Sequence, residues 1–332
     1  MLIWMQTPRE VLPLATVYLR IYFLGMASTM VYNFGSALLR AVGDTKRPLY
    51  FLLCAGVINV ILNLLFVVGF HLDVMGVAIA TVISETVSAV LVLRCLIRES
   101  GGIHLELRAM RIDRKKMMQI LRIGLPAGFQ GVVFALSNVV IQSSVNIFGN
   151  IIVAGNSAAA NLEGFVYMAM NAFYQTTLSF VSQNFGAGEQ KRIHRIVLWG
   201  EICVIVTGTL LGNTVVFFGN ELLRIYSNNP EVIAAGMVRL HYISMVYALC
   251  GIMDVMVGAL RGIGYSIMPM IVSIVGVCVL RLVWLATVFQ IPQFHRIETV
   301  YLSYPFTWIL TSIVYIVFFI CVRVKTCRKQ HS

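Results

Sequence analysis

Three carboxylates lie toward the middle of long apolar segments and are the side chains best placed to do chemistry: Glu85, Glu163 and Asp254. An ionisable group inside a membrane-length apolar segment is expensive to bury and is functional by default. If such a carboxylate faces a cavity, it can hold Na⁺ together with backbone and amide oxygens, or it can exchange a proton. We therefore take these three as candidates for ion coupling. The alternative for Glu163 and Asp254 is a packing role, paired with Arg281 or Arg239.

A fourth acid, Glu201, lies near the end of its apolar segment and close to Arg195 in the sequence. A carboxylate at a membrane surface stays hydrated and can pair with a neighbouring base. We therefore expect Glu201 to be an interfacial residue.

Neutral polar side chains recur in the same apolar segments. Amides and hydroxyls can orient a substrate by hydrogen bonding, and an arginine adds a charge. The candidates to line a substrate path are Asn59, Asn63, Gln130, Asn138, Gln142, Asn171, Tyr174, Gln175 and Arg281. The alternative for any one of them is ordinary packing between membrane helices, which often uses polar residues.

The composition of the chain requires a membrane. Of 332 residues, 59% are hydrophobic and only 12% are charged, whereas soluble domains carry about 25% charged residues. Apolar runs of about 20 residues recur, each long enough to cross a bilayer as a helix. This composition excludes a soluble enzyme or a disulfide scaffold and indicates an all-α integral membrane protein. Nine membrane-spanning helices are predicted, at 15–39, 48–70, 74–96, 120–148, 154–181, 193–218, 231–260, 269–289 and 300–322.

No motif indicates catalysis, a metal centre or a bound cofactor. The sequence has no Ser-His-Asp, HExxH or CxxC arrangement, and most of its seven cysteines lie in apolar runs as small hydrophobic side chains. It has no phosphate-cradling P-loop, so ATP is not expected as the energy source. We predict a protein that is not an enzyme, without catalytic residues, metal or cofactor other than Na⁺ or H⁺ as the coupling ion.

The net charge of +11 predicts an orientation in the membrane. Most of the 25 Lys and Arg residues fall in alternate loops and in the C-terminal tail. Basic residues collect on the cytoplasmic side, so the C-terminus is predicted to be cytoplasmic, in the cytoplasmic membrane. The basic charge is therefore attributed to topology, and no nucleic-acid partner is expected.

Two turns on that predicted cytoplasmic side resemble each other at a constant offset of 221 residues, 39–48 and 260–269. In each turn an apolar segment ends at Leu-Arg, a Gly permits a left-handed conformation, and a Pro opens the next segment. The predicted structural turn residues are Arg40, Gly43, Pro48, Arg261, Gly264 and Pro269. Repeats that face the same side are parallel, an architecture known in transporters.

The repeat also predicts the domain organisation. Three apolar segments precede the polar interval and six follow it, so equal halves would require a parent of twelve helices. We expect an incomplete N-terminal bundle of three helices (1–97), a cytoplasmic linker (98–119), a complete six-helix bundle (120–323) and a basic cytoplasmic tail (324–332).

Several spaced motifs closely resemble the multidrug and toxin extrusion (MATE) family. They are LLRAVGDTKRP at 38–48, INVILN at 58–63, GVAIATVIS at 76–84, IGLP at 123–126, QNFGAG at 183–188 and YPFTW at 304–308. The resemblance covers essentially the whole chain. It implies two six-helix bundles around a V-shaped cleft, and export of organic, often cationic, compounds driven by Na⁺ or H⁺ entry. It also implies that the chain begins near the end of the third family helix.

The sequence departs from that family pattern at coupling positions. Many members carry a carboxylate four residues after an Asn in the fifth helix, where this chain has Asn63 after Asn59. Many Na⁺-type members carry a Glu about eight residues after the seventh-helix Pro, where this chain has Phe134. The tenth-helix Asp of those members aligns nearer Cys250 than Asp254, one helical turn away. The coupling ion therefore stays open between Na⁺ and H⁺.

Cation-coupled antiport of small organic, often cationic, compounds is the predicted function, in a monomer surrounded by membrane lipid. One alternative is a flippase for lipid-linked glycans or their precursors, which would need a cluster of arginines in the cleft. The other alternative is a non-functional transporter fragment, because the first half of the repeat is incomplete.

Overall fold

The structure is a computed structural model that describes residues 12–331, with side chains described up to Val322. In that part every regular element is a helix, which confirms the predicted all-α class. It divides into two compact units, Met1–Ile112 and Asp113–Ser332. The division falls inside the interval expected to be a linker, 98–119.

The first unit contains three long helices. They are α1 (Leu12–Ala41), α2 (Lys46–Asn63), which continues through a π-helical turn (Leu64–Gly69), and α3 (Asp73–Arg98). Helices α1 and α3 pack closely because glycines of α1 face valines of α3: Gly25 lies against Val82, and Gly35 against Val92. Small residues at such contacts let membrane helices approach. Most of α2 is apolar and exposed, as expected of a lipid-facing helix.

The second unit holds the remaining helices. They are α4 (Arg114–Asn146), α5 (Asn150–Gly186), α6 (Gln190–Phe217), the short α7 (Gly219–Arg224), α8 (Pro230–Ile243), α9 (Ala248–Gly262), α10 (Ile267–Ser273), α11 (Leu280–Ala286) and α12 (Ile297–His331). Its core lies mainly between α5, α6, α9 and α12, around buried residues such as Met170, Val204 and Tyr315. The predicted basic tail, 324–332, includes the last turns of α12.

Two predicted spans of the second unit are not continuous α-helices. The segment predicted at 231–260 bends by 46° between α8 and α9, at a 3₁₀ turn, Ser244–Val246. At the bend, Gly212 of α6 packs so closely that an added Cβ would collide with the Ser244 carbonyl oxygen. The segment predicted at 269–289 is interrupted by a π-helical turn, Ile274–Val279. These interruptions were not predicted because hydropathy indicates only how long an apolar segment is. A proline often marks a helix kink, and neither interruption contains one.

Each of the nine predicted spans corresponds to helical structure. Within the described residues, seven helices are long and apolar enough to cross a bilayer, and an eighth is added if the bent α8–α9 pair counts as one span. Helix α5 is also long enough, at 37 residues. It falls outside that set because several amides and Glu163 lower its hydropathy. Its buried residues include Asn156 and Glu163, so α5 can carry a polar site.

The two similar turns share one backbone geometry. Gly43 and Gly264 have φ of 88° and 92°, in the left-handed region that favours glycine. In the first turn the N–H of Asp44 donates to the Leu39 carbonyl at 3.0 Å, and in the second the N–H of Tyr265 donates to Leu260 at 3.0 Å. These are the bonds that close a helix C-terminus.

The side-chain caps of the two turns differ. Asp44 accepts hydrogen bonds from the backbone N–H groups of Lys46 and Arg47 at 3.1 Å and pairs with the Arg47 guanidinium. Partial burial acts to raise the pKa of Asp44, but the hydrogen bonds from Arg47 outweigh it and hold this pKa below its usual value. In the second turn Ser266 donates instead to the Ile123 carbonyl of α4 at 2.8 Å.

The Gly264→Ala variant should unfold more easily in detergent, by about 1 kcal/mol, because an L-residue is strained at this φ. No heavy atom lies within 4 Å of the added Cβ, so the cost is conformational alone. Gly131→Ala in α4 is the matched control, since its Cβ also meets nothing within 4 Å and its backbone is helical. That control should be neutral or slightly stabilising. Equal unfolding midpoints for the two variants would contradict the turn assignment.

Candidate functional site

A buried ion pair joins α5 to α8 in the second unit. The Arg239 guanidinium donates from Nε to Glu163 Oε1 at 3.0 Å and from Nη2 to Glu163 Oε2 at 2.6 Å. Glu163 is only 5% exposed and Arg239 only 8%. Both carboxylate oxygens are engaged, in the two-pronged geometry that makes such pairs strong and directional. Of the two roles predicted for Glu163, pairing with an arginine is what the structure displays.

Hydrogen bonds extend this pair to two further helices. Arg239 Nη1 donates to Asn156 Oδ1 at 2.7 Å, and the Tyr301 hydroxyl of α12 donates to the same oxygen at 3.2 Å. Asn156 Nδ2 donates in turn to Gln142 Oε1 on α4 at 3.1 Å. The network therefore connects α4, α5, α8 and α12 through polar groups with partners, as a buried polar network requires.

A cavity of about 360 Å³ opens beside this network. This volume is within the range of small-molecule sites. Aromatic rings and amides line much of its wall, together with the paired Glu163 and Arg239. The aromatic and amide residues are Asn138, Gln142, Asn156, Tyr167, Tyr247, Tyr304 and Trp308. The Tyr247 and Trp308 rings meet edge to face at a centroid distance of 5.5 Å, which stiffens that side of the wall.

Arg281 of α11 lies close to the cavity wall. Its guanidinium carbon is 3.9 Å from the Tyr304 ring centroid, and the Arg239 guanidinium carbon is 5.7 Å from the same centroid. Arg281 is 3% exposed and donates from Nη2 to the Thr307 hydroxyl at 3.0 Å. Its Nε has no hydrogen-bond partner among the described residues.

Asp254 lies on α9, beyond the bend that separates it from Arg239. It is half-buried and forms no salt bridge among the described residues. It lies within electrostatic range of Tyr167, Tyr247, Cys250 and Arg261. Tyr167 lines the cavity, so this carboxylate borders the same region from the side of α9.

Arg261, predicted as a turn residue, also connects three helices. It donates from Nη1 to the Tyr174 hydroxyl of α5 and from Nη2 to Gln130 Oε1 of α4, both at 2.8 Å. Two predicted path residues, Gln130 and Tyr174, are thus held together by one arginine. Gln175, which was predicted alongside them, is exposed. Asn171 lies one helical turn after Tyr167, the cavity residue that lies near Asp254.

The candidates of the first unit form a small cluster of their own. Thr29 of α1 donates to Glu85 Oε2 of α3 at 2.5 Å. Asn63 Nδ2 donates to Asn59 Oδ1 at 2.9 Å, and Asn59 Nδ2 donates to the Ser84 hydroxyl at 3.2 Å. Glu85 and the two asparagines therefore link α3 to both of its neighbours.

The expectation for Glu201 is wrong. Both of its carboxylate oxygens are buried and have no hydrogen-bond partner among the described residues, and it forms no salt bridge with Arg195 there. The reason is geometric: Glu201 shares the inward face of α6 with the buried residues Val197, Val204 and Gly208. The position of a residue along an apolar segment does not indicate whether its side chain points toward the protein core or toward the surface.

Six residues of the site were not among the sequence candidates: Asn156, Tyr167, Tyr247, Tyr301, Tyr304 and Trp308. Trp308 and Tyr304 belong to the YPFTW motif, so that motif was the one available signal. The others look like ordinary polar or aromatic residues of a membrane helix, and only the packing of α5, α8 and α12 brings them together.

The MatE family model matches residues 1–65 and 126–287, more than half of the chain. The chain belongs to this family of multidrug and toxin extrusion transporters. The resemblance found in the sequence motifs is thereby confirmed, and family members are transporters, not enzymes.

Named relatives agree with the family. The chain is 31% identical over 281 residues to a probable multidrug resistance protein, YpnP, of Bacillus subtilis (strain 168), covering 83% of this chain and 62% of that protein. It is 27% identical over 322 residues to an FAD transporter of Shewanella oneidensis, covering 95% of this chain and 70% of that protein. This MATE chain therefore spans about three fifths of the length of the first of these relatives.

A solved structure shows the same fold. The crystal structure of a MATE protein in the bent conformation superposes with a TM-score of 0.87 at 18% identity, covering 99% of this chain and 73% of that chain. With its apolar helices, the MATE chain is an integral membrane protein.

Glu163→Gln should destabilise the MATE chain by about 3 kcal/mol, because it leaves the buried Arg239 guanidinium without its counter-charge. Arg239→Gln should have a similar effect. The double variant should lose less than the sum of the two, because neither charge is then stranded. Unfolding midpoints in detergent measure all three. Glu221→Gln on the surface of α7 is the control, and its unfolding midpoint should change little. If the destabilisation of the double variant equals the sum of the two single effects, the structural role of the pair is contradicted.

Proposed function

We propose that the MATE chain takes part in cation-coupled export of small organic, often cationic, compounds across the cytoplasmic membrane, driven by entry of Na⁺ or H⁺. The observation that carries this proposal is the cavity of the second unit, which combines a buried carboxylate–guanidinium network with aromatic and amide walls. Such a combination suits loosely selective recognition, because rings supply adaptable apolar contact and a few polar groups orient the ligand.

The names of the relatives support the same proposal. One relative is a probable multidrug resistance protein, and another is an FAD transporter. The second name widens the range of compounds to consider beyond simple cations. No ATP-binding motif is present in the sequence, which agrees with an ion gradient as the source of energy.

Asp254 is the carboxylate most available to the coupling ion. Glu163 already uses both oxygens on Arg239, whereas Asp254 has no salt-bridge partner in the described part of the chain. An ion that neutralises Asp254 removes one buried negative charge and so changes the free energy of its local arrangement. We therefore assign the coupling step to Asp254, with Glu163 as a second position and Glu85 as a third.

The bend between α8 and α9 is where that step would move one helix relative to the other. Arg239 precedes the bend and is held by Glu163, whereas Asp254 follows it. Neutralising Asp254 would act on α9 while α8 stays fixed, so the 46° angle between them is the coordinate that the ion would change. Element-terminal bends of this kind absorb conformational change in many proteins.

Asp254→Asn should abolish gradient-driven efflux of ethidium from vesicles while leaving the protein folded, because an amide can neither release a proton nor neutralise Na⁺. The measurement is ethidium fluorescence under an imposed Na⁺ gradient and, separately, an imposed H⁺ gradient. Glu231→Gln, at the exposed start of α8, is the matched control and should keep the parental rate. Undiminished efflux by Asp254→Asn would overturn the assignment, and no efflux from the parent under either gradient would overturn the exporter proposal.

The predicted orientation has its own test. A protease site appended after Ser332 should be cut in inside-out vesicles and protected in right-side-out ones, because the basic loops place the C-terminus in the cytoplasm. The reverse pattern of protection would overturn that orientation. The monomeric state that we propose predicts a single protomer in detergent by light scattering.

A further inference from the structure

An apolar groove of about 420 Å³ runs between α5 and α6, apart from the cavity beside the ion pair. Phe173 and Phe180 form its α5 wall, and Trp199 and Cys203 form its α6 wall. Residues four or seven apart share one face of a helix, so each wall is a stripe along one helix. Trp199 is 63% exposed and Phe180 is 50% exposed, so the groove opens away from the core.

The floor of the groove is the place where the two helices touch. Gly200 of α6 lies so close to α5 that an added Cβ would be 2.7 Å from the Thr177 hydroxyl oxygen. The neighbouring Thr176 donates its hydroxyl to the Ala172 carbonyl at 2.8 Å, within its own helix. The helices therefore meet at the floor, the bulky rings stand above it, and the depression between them is mainly apolar.

One end of the groove carries a positive charge. Arg195 lines the groove and lies four and eight residues before Trp199 and Cys203, on the same stripe of α6. It is exposed and forms no salt bridge within the described part of the chain. Glu201, its expected partner, lies about 120° away around the helix at 3.6 residues per turn, and its carboxylate is buried. The Arg195 guanidinium is therefore available to an anion.

This charge lies at the boundary of the hydrocarbon region. Arg195 is the last basic residue before an apolar stretch, 196–217, whose single charged residue is Glu201. Trp199 fits this level, because tryptophans collect at the membrane–water interface. Cys203 lies about 12 Å from Arg195 along the helix axis, at 1.5 Å per residue. The groove thus runs from the level of the lipid headgroups into the level of the acyl chains.

We propose that this groove holds an acyl chain of an anionic phospholipid, whose phosphate binds the Arg195 guanidinium. A guanidinium–phosphate contact is charge-assisted and can be bidentate. The acyl chain packs against Phe173, Phe180 and Trp199. A zwitterionic phospholipid has the same chains, but its own ammonium group compensates the phosphate, so its net attraction to Arg195 is weaker. Basic side chains at this level prefer anionic headgroups for that reason.

The lipid site is separate from the proposed transport cavity. The cavity is lined by α5 residues within 156–167 and the groove by α5 residues within 173–180, and the two share no lining residue. A lipid that binds the folded chain stabilises it by mass action. The inference therefore stands or fails independently of whether the chain exports any compound.

Brominated lipids test the site, because bromine quenches a tryptophan that it contacts. The purified full chain is placed in phosphatidylcholine vesicles that contain an equal mole fraction of either dibrominated phosphatidylglycerol or dibrominated phosphatidylcholine. The anionic lipid should quench more strongly. The excess should disappear in Trp199→Phe, which keeps an aromatic ring and the other tryptophans of the chain. Equal quenching of the parent by the two lipids would overturn the inference, and so would an excess that persists in Trp199→Phe.

Variants separate the charge from the groove. Arg195→Gln should lower the preference for the anionic lipid about fivefold, the contribution of one basic side chain near a membrane surface, and Arg195→Lys should keep much of it. Cys203→Phe narrows the deep end of the groove and should also lower the preference. The matched controls are Arg224→Gln on α7 and Cys54→Phe on α2, both at exposed positions, and both should keep the parental preference. A folded Arg195→Gln protein with the parental preference, or an equal loss in the controls, would overturn the inference.

Thermal unfolding in detergent distinguishes the lipid from other occupants. Added phosphatidylglycerol should raise the unfolding midpoint of the parent more than that of Arg195→Gln. Inorganic phosphate at the same concentration should not raise it, because it has no acyl chain to fill the groove. Stabilisation by phosphate alone would mean a simple anion site and would overturn the lipid assignment. A dimer that is lost in Cys203→Phe would mean that a second copy covers the groove, and would overturn it as well.

Discussion

The packing of the second unit depends on how its buried charged side chains are paired. A carboxylate or guanidinium in a membrane interior is tolerated only with a partner, a cavity or a bound ion. Glu163 and Arg239 satisfy each other, and Asn156 extends the pair to α4 and α12. This pair explains how α5 can bury Asn156 and Glu163 inside the unit. It also leaves Asp254, Glu201 and Arg281 without a salt bridge in the described residues.

Much of the fold could be predicted from the sequence because apolar length and turn residues are local signals. The nine segments and the two glycine turns are read directly from runs of residues. The bend at Ser244–Val246 could not be predicted in the same way, because it packs against Gly212, a residue on another helix. The same holds for Glu201, whose sequence position suggested a surface and whose helix face is buried.

The site itself was predicted in part. Glu163 was selected for its burial in an apolar segment, and pairing with Arg239 was one of the stated alternatives. Asn156 and Tyr301 were not selected, because an asparagine or a tyrosine in a membrane helix has many ordinary explanations. Tertiary packing decides which polar residues share a partner, and Tyr301 meets Asn156 across 145 positions of sequence separation.

The unequal caps of the two similar turns have a consequence for the order of assembly. Asp44 caps its turn with neighbours two and three residues away, so this corner can form as soon as its own segment leaves the ribosome. The second turn has the same local backbone bonds, but its Ser266 hydroxyl needs the Ile123 carbonyl, 143 residues earlier, so this side-chain bond forms only when α10 docks beside α4. The side-chain bonds of the first turn are therefore local, whereas that of the second is a long-range contact that forms with the packing of its bundle.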